Sequence, residues 1–319
     1  MRAAEVVGIG EALIRLSPAG AETLETASTY AVHVGGAEAN VCAGLARLDV
    51  RTAWISRLPA NPLGRRVART IRGFGVEVDG VLWAPEGSVG LNFFQPEAPP
   101  RAGEVFYYRS GSAFTEIDPD AVGWGVLDGA GLVHLTGITP ALGGRPRALV
   151  ERAIAEARRR EVRISFDVNY RAALWTRAAA RTVIEPLLRG VDTVFLNERD
   201  ARGVFDAEGD PEVIAADLRE RFRCTTLVLT LGAAGALAHD GSGVYRHPAF
   251  PTTIVDRIGR GDAFAAGFLY GHRRGDVRDG LRYGAALAAL KQTYPGDISH
   301  ATLADVGPVV GGQTETFHR

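Results

Sequence analysis

Val255–Leu269 reads V-D-R-I-G-R-G-D-A-F-A-A-G-F-L. Gly259 and Gly261 bracket Arg260, Asp262 follows, and a small, apolar helical run continues from there. Glycines at these places take backbone angles closed to other residues and leave their N–H groups uncovered. Asp262 stands where the helix is expected to begin, a position that favours a short acceptor side chain. Phe264 and Phe268 are four apart and share one helical face, and Gly267 permits close packing. The first-turn N–H groups of such a helix are unpaired and carry partial positive charge, which suits an anion, phosphate above all. A carboxylate at the lip of that cradle suits phosphoryl transfer. The donors hold the moving charge, while the carboxylate orients the attacking hydroxyl and takes its proton. The same Gly-x-Gly-Asp also reads as a plain loop with an N-cap, and alone the stretch leaves the two readings level.

The totals narrow the setting. The 319 residues suffice for one large α/β domain or two small ones. With 46% hydrophobic and 23% charged residues, the composition is that of a soluble globular chain. A net charge of −1 gives no basic field, so neither nucleic acid nor an anionic membrane is expected as a partner. No apolar run approaches the ~20 residues of a membrane span. The opening M-R-A-A-E-V-V-G-I-G enters a strand-like run without a signal-peptide pattern, and a cytoplasmic protein is expected. Cys42 and Cys224 lie far apart among small or apolar residues, as core fillers do. Neither C-x-x-C nor H-E-x-x-H occurs, which argues against zinc. Lys291 is the only lysine, so no P-loop lysine exists. A Schiff-base enzyme would have to use Lys291, which follows A-L-A-A-L in a helical pattern.

Working outward, strands and helices alternate. Glu5–Gly10 reads as a short strand ending in G-I-G-E, a partial dinucleotide fingerprint with Leu13 in place of its last glycine. Tyr30–Val34 alternates as a strand, and Gly35-Gly36 opens a helix with Ala37, Val41, Leu45 and Leu48 on one face. Arg51–Ser56 reads as a strand, Gly64–Phe74 as a helix closed by Gly73 and Gly75, and Val76–Val81 as a short strand. Gly131–Leu135, Val162–Val168, Thr193–Leu196 and Thr226–Leu231 are further strands, and Arg145–Arg160 is an amphipathic helix ending in a solvated arginine face. Asp240-Gly241 reads as a hairpin turn returning through Val244–His247, and Gly280–Thr293 is a second Ala-rich helix. Such alternation gives a mostly parallel sheet. Val89–Phe94 and Val105–Arg109 break the rhythm, since only a Pro-rich loop joins them; they pair antiparallel or form an appendage. Tyr107 and Arg109 point to one face, offering a hydroxyl and a guanidinium that matches a carboxylate. Phe106 and Tyr108 point to the other, as packing core or a dimer contact.

D-R-I-G-R-G-D-A-F resembles the second signature of the ribokinase-like (PfkB) carbohydrate kinases, D-T-x-G-A-G-D-x-F, and G-G-A-E-A-N-V-C-A resembles the first, G-G-x-x-x-N-x-A. The resemblance covers nearly the whole chain. It implies an α/β protein with the ribokinase-like three-layer α/β/α fold, a mostly parallel central sheet and a small β-sheet lid. A single kinase domain over 1–319 is expected, with lid strands inserted at about 12–34 and 88–112 and a frayed tail at 311–319. The resemblance makes Asp262 the catalytic base and the backbone of Gly259, Arg260 and Gly261 the anion hole. Arg260 departs from the usual alanine and stands either near the phosphates or toward solvent. Gly36 would let the sugar approach the backbone, and Asn40 would bond its hydroxyls, an amide being both donor and acceptor. Read alone, Asn40 is better taken as a polar residue on the helix's wet side; beside the second signature it reads as part of the site. T-L-G-A-A-G resembles the nucleotide loop T-x-G-x-x-G and implies Thr230, Gly232 and Gly235 at ATP. N-E-R-D stands where the family has N-x-x-E, implying Asn197 at the nucleotide and Asp200 at Mg²⁺ through water.

F-Y-Y-R-S-G-S-A, T-G-I-T-P, D-V-N-Y-R and Y-P-G-D, with Glu11 after G-I-G, resemble the 2-keto-3-deoxygluconate kinase branch. The resemblance places Tyr107, Arg109, Ile138 and Arg171 against a sugar acid, and has Asp297 accept one of its hydroxyls. Asp167 and Asn169 then lie near the phosphates and metal; a capped turn is the other reading of Asp167, and a Pro-Gly turn that of Asp297. Asn92 stands where some members carry tyrosine. The implied reaction moves the γ-phosphoryl of ATP to the terminal hydroxyl of 2-keto-3-deoxygluconate, with ATP and Mg²⁺ as cofactors and a homodimer or higher oligomer formed through the lid. Three alternatives stand beside it: a fructokinase-like sugar kinase, a catalytically silent sugar-binding protein on the same fold, and a nucleotide-cofactor oxidoreductase using G-I-G. The missing third glycine counts against the last.

Overall fold

A computed structural model describes residues 3–20, 22–98 and 100–312. In chain order the strands are β1 (Val6–Ile9), β2 (Leu13–Pro18), β3 (Tyr30–Gly35), β4 (Thr52–Pro59), β5 (Val81–Ala84), β6 (Leu91–Gln95), β7 (Glu104–Tyr108), β8 (Leu132–Thr136), β9 (Arg163–Asp167), β10 (Thr193–Asn197), β11 (Thr226–Thr230), β12 (Ala236–His239) and β13 (Val244–His247). Nine of them form one sheet in the order β13-β12-β11-β10-β9-β8-β1-β4-β5. The seven from β11 to β5 run parallel, and β12 and β13 add an antiparallel edge.

Both faces of this sheet are covered, which is why its strands are near-continuous apolar runs. Successive side chains go to opposite layers. On β10, Val194 and Leu196 join the core under the helices Gly144–Arg159 and Pro211–Phe222. Phe195 faces the other way, onto the helices Ala37–Arg47, Arg260–Arg274 and Val277–Lys291, with its ring 5.3 Å from that of Phe268. Fully burying such a side chain contributes roughly 1.5–3 kcal/mol. Gly267 sits against Tyr283 and Gly284, which lets the last two helices pack closely.

The chain order of the strands reverses beside β1, with β8 on one flank and β4 on the other. In open α/β sheets that crevice, at the carboxyl ends of the strands, is where ligands bind. Gly10, Gly137, Asp167, Asn197 and Thr230 all fall at those ends.

β2, β3, β6 and β7 form a separate sheet in the order β3-β2-β6-β7. β6 and β7 pair antiparallel, with Asn92 opposite Tyr107. Tyr30, Phe93 and Tyr108 make edge-to-face contacts on the outer side, at 6.0 and 5.6 Å between centroids. This is the ribokinase-like architecture: a large mostly parallel sheet with helices, and a smaller sheet beside it.

Two expectations of local structure need correction. Val76–Val81 is not a strand; it makes only an isolated bridge at Glu77, and the strand is Val81–Ala84. The Val81 amide bonds back to Val78, so Asp79-Gly80 forms a turn that delays pairing with β4. Asp262 does not open its helix. Gly259 is the N-cap at φ +78°, an angle glycine takes readily, so the helix begins sooner and Asp262 is its third residue. Of the tail expected at 311–319, residues 313–319 lie outside the described residues, and Gly311 closes the helix Leu303–Val310.

Candidate active site

A cavity of about 760 Å³ opens at the carboxyl ends of the strands, beneath the small sheet. Gly36, Asn40, Tyr107, Arg109, Ile138, Arg171 and Asp297 line one part of it. Asn197, Thr230, Gly232 and the turn Gly259, Arg260, Gly261 and Asp262 line the rest. A second cavity of about 570 Å³ continues past the turn, walled by Phe250, Ala285, Ala288 and Ala289, with Gly235 at its edge. Thr230, Gly232, Arg257, Arg260, Gly261 and Phe264 belong to both walls. The seam between the two spaces is therefore the glycine turn itself.

Asp262 follows that turn and lines the larger cavity. Its Oδ2 accepts a hydrogen bond from Asn40 Nδ2 at 2.6 Å. Asn40 Oδ1 in turn accepts from the Gly36 amide at 3.2 Å, so one amide ties the first glycine signature to the second. Burial raises the Asp262 pKa, and the Asn40 hydrogen bond with the charges of Arg171 and Lys291 offsets only part of this. The amides of Gly259, Gly261 and Asp262 have no partner among the described residues, as a helix N-terminus dictates. The Arg260 amide is taken up by the Arg257 carbonyl at 3.3 Å. The Arg260 side chain lines the seam and has no carboxylate partner among the described residues. A Cβ on Gly36 would collide with the Glu11 carbonyl, which explains that glycine by close approach rather than by its backbone angle.

The arginines differ in state. Arg109 donates from Nε to Glu11 Oε2 at 2.9 Å and pairs with it through Nη2 as well, so its charge is answered within the protein. Ser112 donates to the other Glu11 oxygen. Arg171 donates only to the neighbouring Tyr170 carbonyl, at 3.2 Å, and has no carboxylate partner among the described residues. Asp297 is buried, and burial pushes its pKa up to about 6.

Two acids at the site went unread in sequence. Glu38, two residues before Asn40, is 1% exposed, and its Oε1 accepts from Thr136 and Thr139 at 2.8 Å each. Burial pushes its pKa up to about 7. Glu198 lines the cavity beside Asn197. Asp167, noted near the phosphates, also lines the cavity; its Oδ1 accepts from the Asn169 amide at 3.1 Å, and burial first, then the charge of Asp262, pushes its pKa up to about 7. Asp200 is off the wall: it is 2% exposed and holds Asn197 Nδ2 at 2.7 Å. Among the described residues no three His, Cys, Asp or Glu side chains are placed to share a metal. Such sparse carboxylates fit a hard cation that keeps several waters and arrives on nucleotide phosphates. Lys291 is wholly buried and donates to the Asp256 carbonyl at 3.2 Å, so it offers no free amine.

A carboxylate at a helix N-terminus, in a polar cavity that meets an apolar one beneath the small sheet, defines a small-molecule kinase. Residues 3–303 match the pfkB family of carbohydrate kinases, and the chain belongs to that family. It is 39% identical over 310 residues to the 2-dehydro-3-deoxygalactonokinase of Haloferax volcanii, covering 97% of each chain. It is 35% identical over 296 residues to the 2-dehydro-3-deoxygluconokinase of Thermoproteus tenax, covering 92% of this chain and 89% of that one. Its fold is similar to the crystal structure of 2-dehydro-3-deoxygluconokinase from Thermotoga maritima, with TM-score 0.92, 32% identity, and 98% and 99% of the two chains covered. Among the described residues no helix is long and apolar enough to cross a membrane.

Proposed function

We propose that this kinase transfers the γ-phosphoryl group of ATP to the terminal hydroxyl of 2-keto-3-deoxygluconate, giving the 6-phosphate, in the cytoplasm. The observation that carries the reading is the shared wall: a polar cavity and an apolar slot meet at Arg260 and Gly261, beside unpaired amides, with Asp262 next in the chain and facing the polar cavity. The slot beside Phe250, Ala285 and Ala288 suits a flat base, and Gly232, with open space where a Cβ would stand, leaves room for phosphates. Asp262 orients the sugar hydroxyl and takes its proton, Asn40 holds Asp262 in place, and the amides at 259, 261 and 262 stabilise the charge that develops. Mg²⁺ brought by the nucleotide supplies charge neutralisation at the phosphates. Asp167 and Glu198, both on the cavity wall, would meet its waters. The lid over the sugar excludes water from the transfer.

A sugar acid needs a cation, and Arg171, on the part of the wall away from the glycine turn and without a carboxylate partner among the described residues, is the one we assign. We expect Arg171→Ala to lower kcat/KM for the sugar acid about 10–100-fold, the worth of a charged hydrogen-bond pair, while use of fructose changes little. Arg109→Ala is the weaker test, because it also leaves buried Glu11 without its partner. ADP release measured over 2-keto-3-deoxygluconate, 2-keto-3-deoxygalactonate, gluconate, fructose and ribose checks the substrate. Preference for a neutral sugar, with no use of any sugar acid, would overturn the reading. The Haloferax relative's name makes the galactonate epimer the second substrate to test.

The outer side of the small sheet is the proposed contact with a second copy. Phe106 and Tyr108 are 47% and 66% exposed on the edge strand β7. An uncovered apolar edge favours pairing with another chain. Tyr108→Glu with Phe106→Glu is expected to turn a dimer into a monomer in sedimentation equilibrium. A wild-type monomer at micromolar concentration would dismiss this contact.

A further inference from the structure

Below the site lies a cluster of buried charges with no part in the proton transfer. Arg15 on β2 is 2% exposed, Asp256 and Asp297 are 7% exposed each, and Lys291 is wholly buried. Arg15 Nη2 donates to Asp256 Oδ2 at 2.6 Å. Its Nε stands 3.2 Å from Asp297 Oδ2, close enough for an ion pair but out of line for a hydrogen bond. The guanidinium also lies over the Phe94 ring of β6, 5.1 Å from its centroid.

Asp256 is fully engaged. Its Oδ1 accepts from the Ile258 amide at 2.9 Å, and its Oδ2 accepts from the Gly296 amide at 3.0 Å. Its carbonyl accepts from Lys291 Nζ at 3.2 Å. One residue thus ties together the small sheet, the loop carrying Asp297, the helix Val277–Lys291 and the turn leading into Gly259. The Ile258 amide fixes the chain one residue before the left-handed angle of Gly259, on which the direction of the open amides depends. Buried ion pairs are a weak source of stability compared with apolar packing, and their best-attested use is to specify one arrangement.

We propose that Arg15 is a positioning residue: through Asp256 it makes the direction of the amides at Gly259, Gly261 and Asp262 conditional on β2 being docked. Arg15 is absent from the walls of both cavities, so it acts without touching sugar or nucleotide. The inference rests on the kinase reading for its effect on rate, but not for its effect on the turn.

The test uses Arg15→Met, which keeps an apolar stem on Phe94, and Arg15→Lys, which restores a charge. In the full-length protein, Arg15→Met is expected to lower kcat about 100-fold, comparable with losing one oxyanion donor. KM for ATP and for the sugar acid should stay within roughly threefold, and Arg15→Lys should recover about tenfold of the loss. Unchanged kcat in a folded Arg15→Met overturns the proposal, as does a rise in sugar KM that accounts for the whole effect. Should Arg15→Met fail to fold, Asp256→Asn takes its place, with the same split expected. Hydrogen exchange at the Ile258 and Arg260 amides, read without any ligand, separates this idea from the functional one. Faster exchange there, with the central sheet unchanged, supports the coupling; unchanged exchange overturns it. A wild-type protein that releases no ADP with any sugar sinks the functional reading instead.

Discussion

Asp262→Asn should lose turnover by a factor on the order of 10³–10⁴, the upper range for removing a general base. Sugar affinity should change little, because the asparagine carbonyl can still accept from Asn40 Nδ2, now at 2.6 Å from the carboxylate. Coupled detection of ADP gives kcat, and calorimetry with the sugar acid gives the affinity. A variant that turns over like wild type would remove Asp262 from its role. The pH dependence follows from the same geometry. Only the ionised carboxylate can take the proton, and burial raises its pKa above the ordinary value of 3.8. As pH falls, the proton therefore returns to Asp262 earlier than to an exposed aspartate. The acid limb of kcat/KM should lie above that of an exposed aspartate, and it should shift in the residual activity of Asp262→Asn. Asp167, pushed up to about 7 by burial and by the charge of Asp262, is coupled to it, so the limb belongs to the pair.

Gly259→Ala should be nearly as damaging, for a different reason. At φ +78° an alanine is strained by about 1–2 kcal/mol. Its Cβ would also collide with the Asp297 carbonyl, which is backbone and cannot step aside. The turn must shift, and the open amides shift with it. We expect kcat to fall about 10²–10³-fold, the cost of a misaimed oxyanion donor, together with a lowered Tm. Gly261→Ala is the control: outside its own helical turn no atom of the described residues lies within 4 Å of its added Cβ, so Tm should hold and KM for ATP should rise. Unchanged kcat in Gly259→Ala would mean the turn does not carry the charge.

What was legible beforehand was local. Alternation of apolar runs located the central strands, and the two glycine signatures brought Gly36, Asn40 and Asp262 to one cavity. The misses share a cause, dependence on partners far along the chain. Arg109 was read as free for a carboxylate, yet Glu11 answers it from 98 residues away. Arg15 drew no notice because its partner Asp256 is 241 residues distant. Glu38 carries no periodic signal, and only the threonines brought in by β8 and the turn after it reveal its role. The start of the helix at Gly259 depends on a backbone angle that a Gly-x-Gly-Asp string permits but does not impose.

The position of β1 bears on how the chain reaches its native state. Val6–Gly8 lies against residues 52–54 on one flank, while its other flank must wait for residues 132–134. Until those residues leave the ribosome, the first strand of the nascent protein exposes an unsatisfied ladder of backbone groups, a template for the wrong neighbour. Assembly of the interior is therefore slow and late, since the β1–β8 pairing that joins the two parts of the sheet closes a loop of more than a hundred residues.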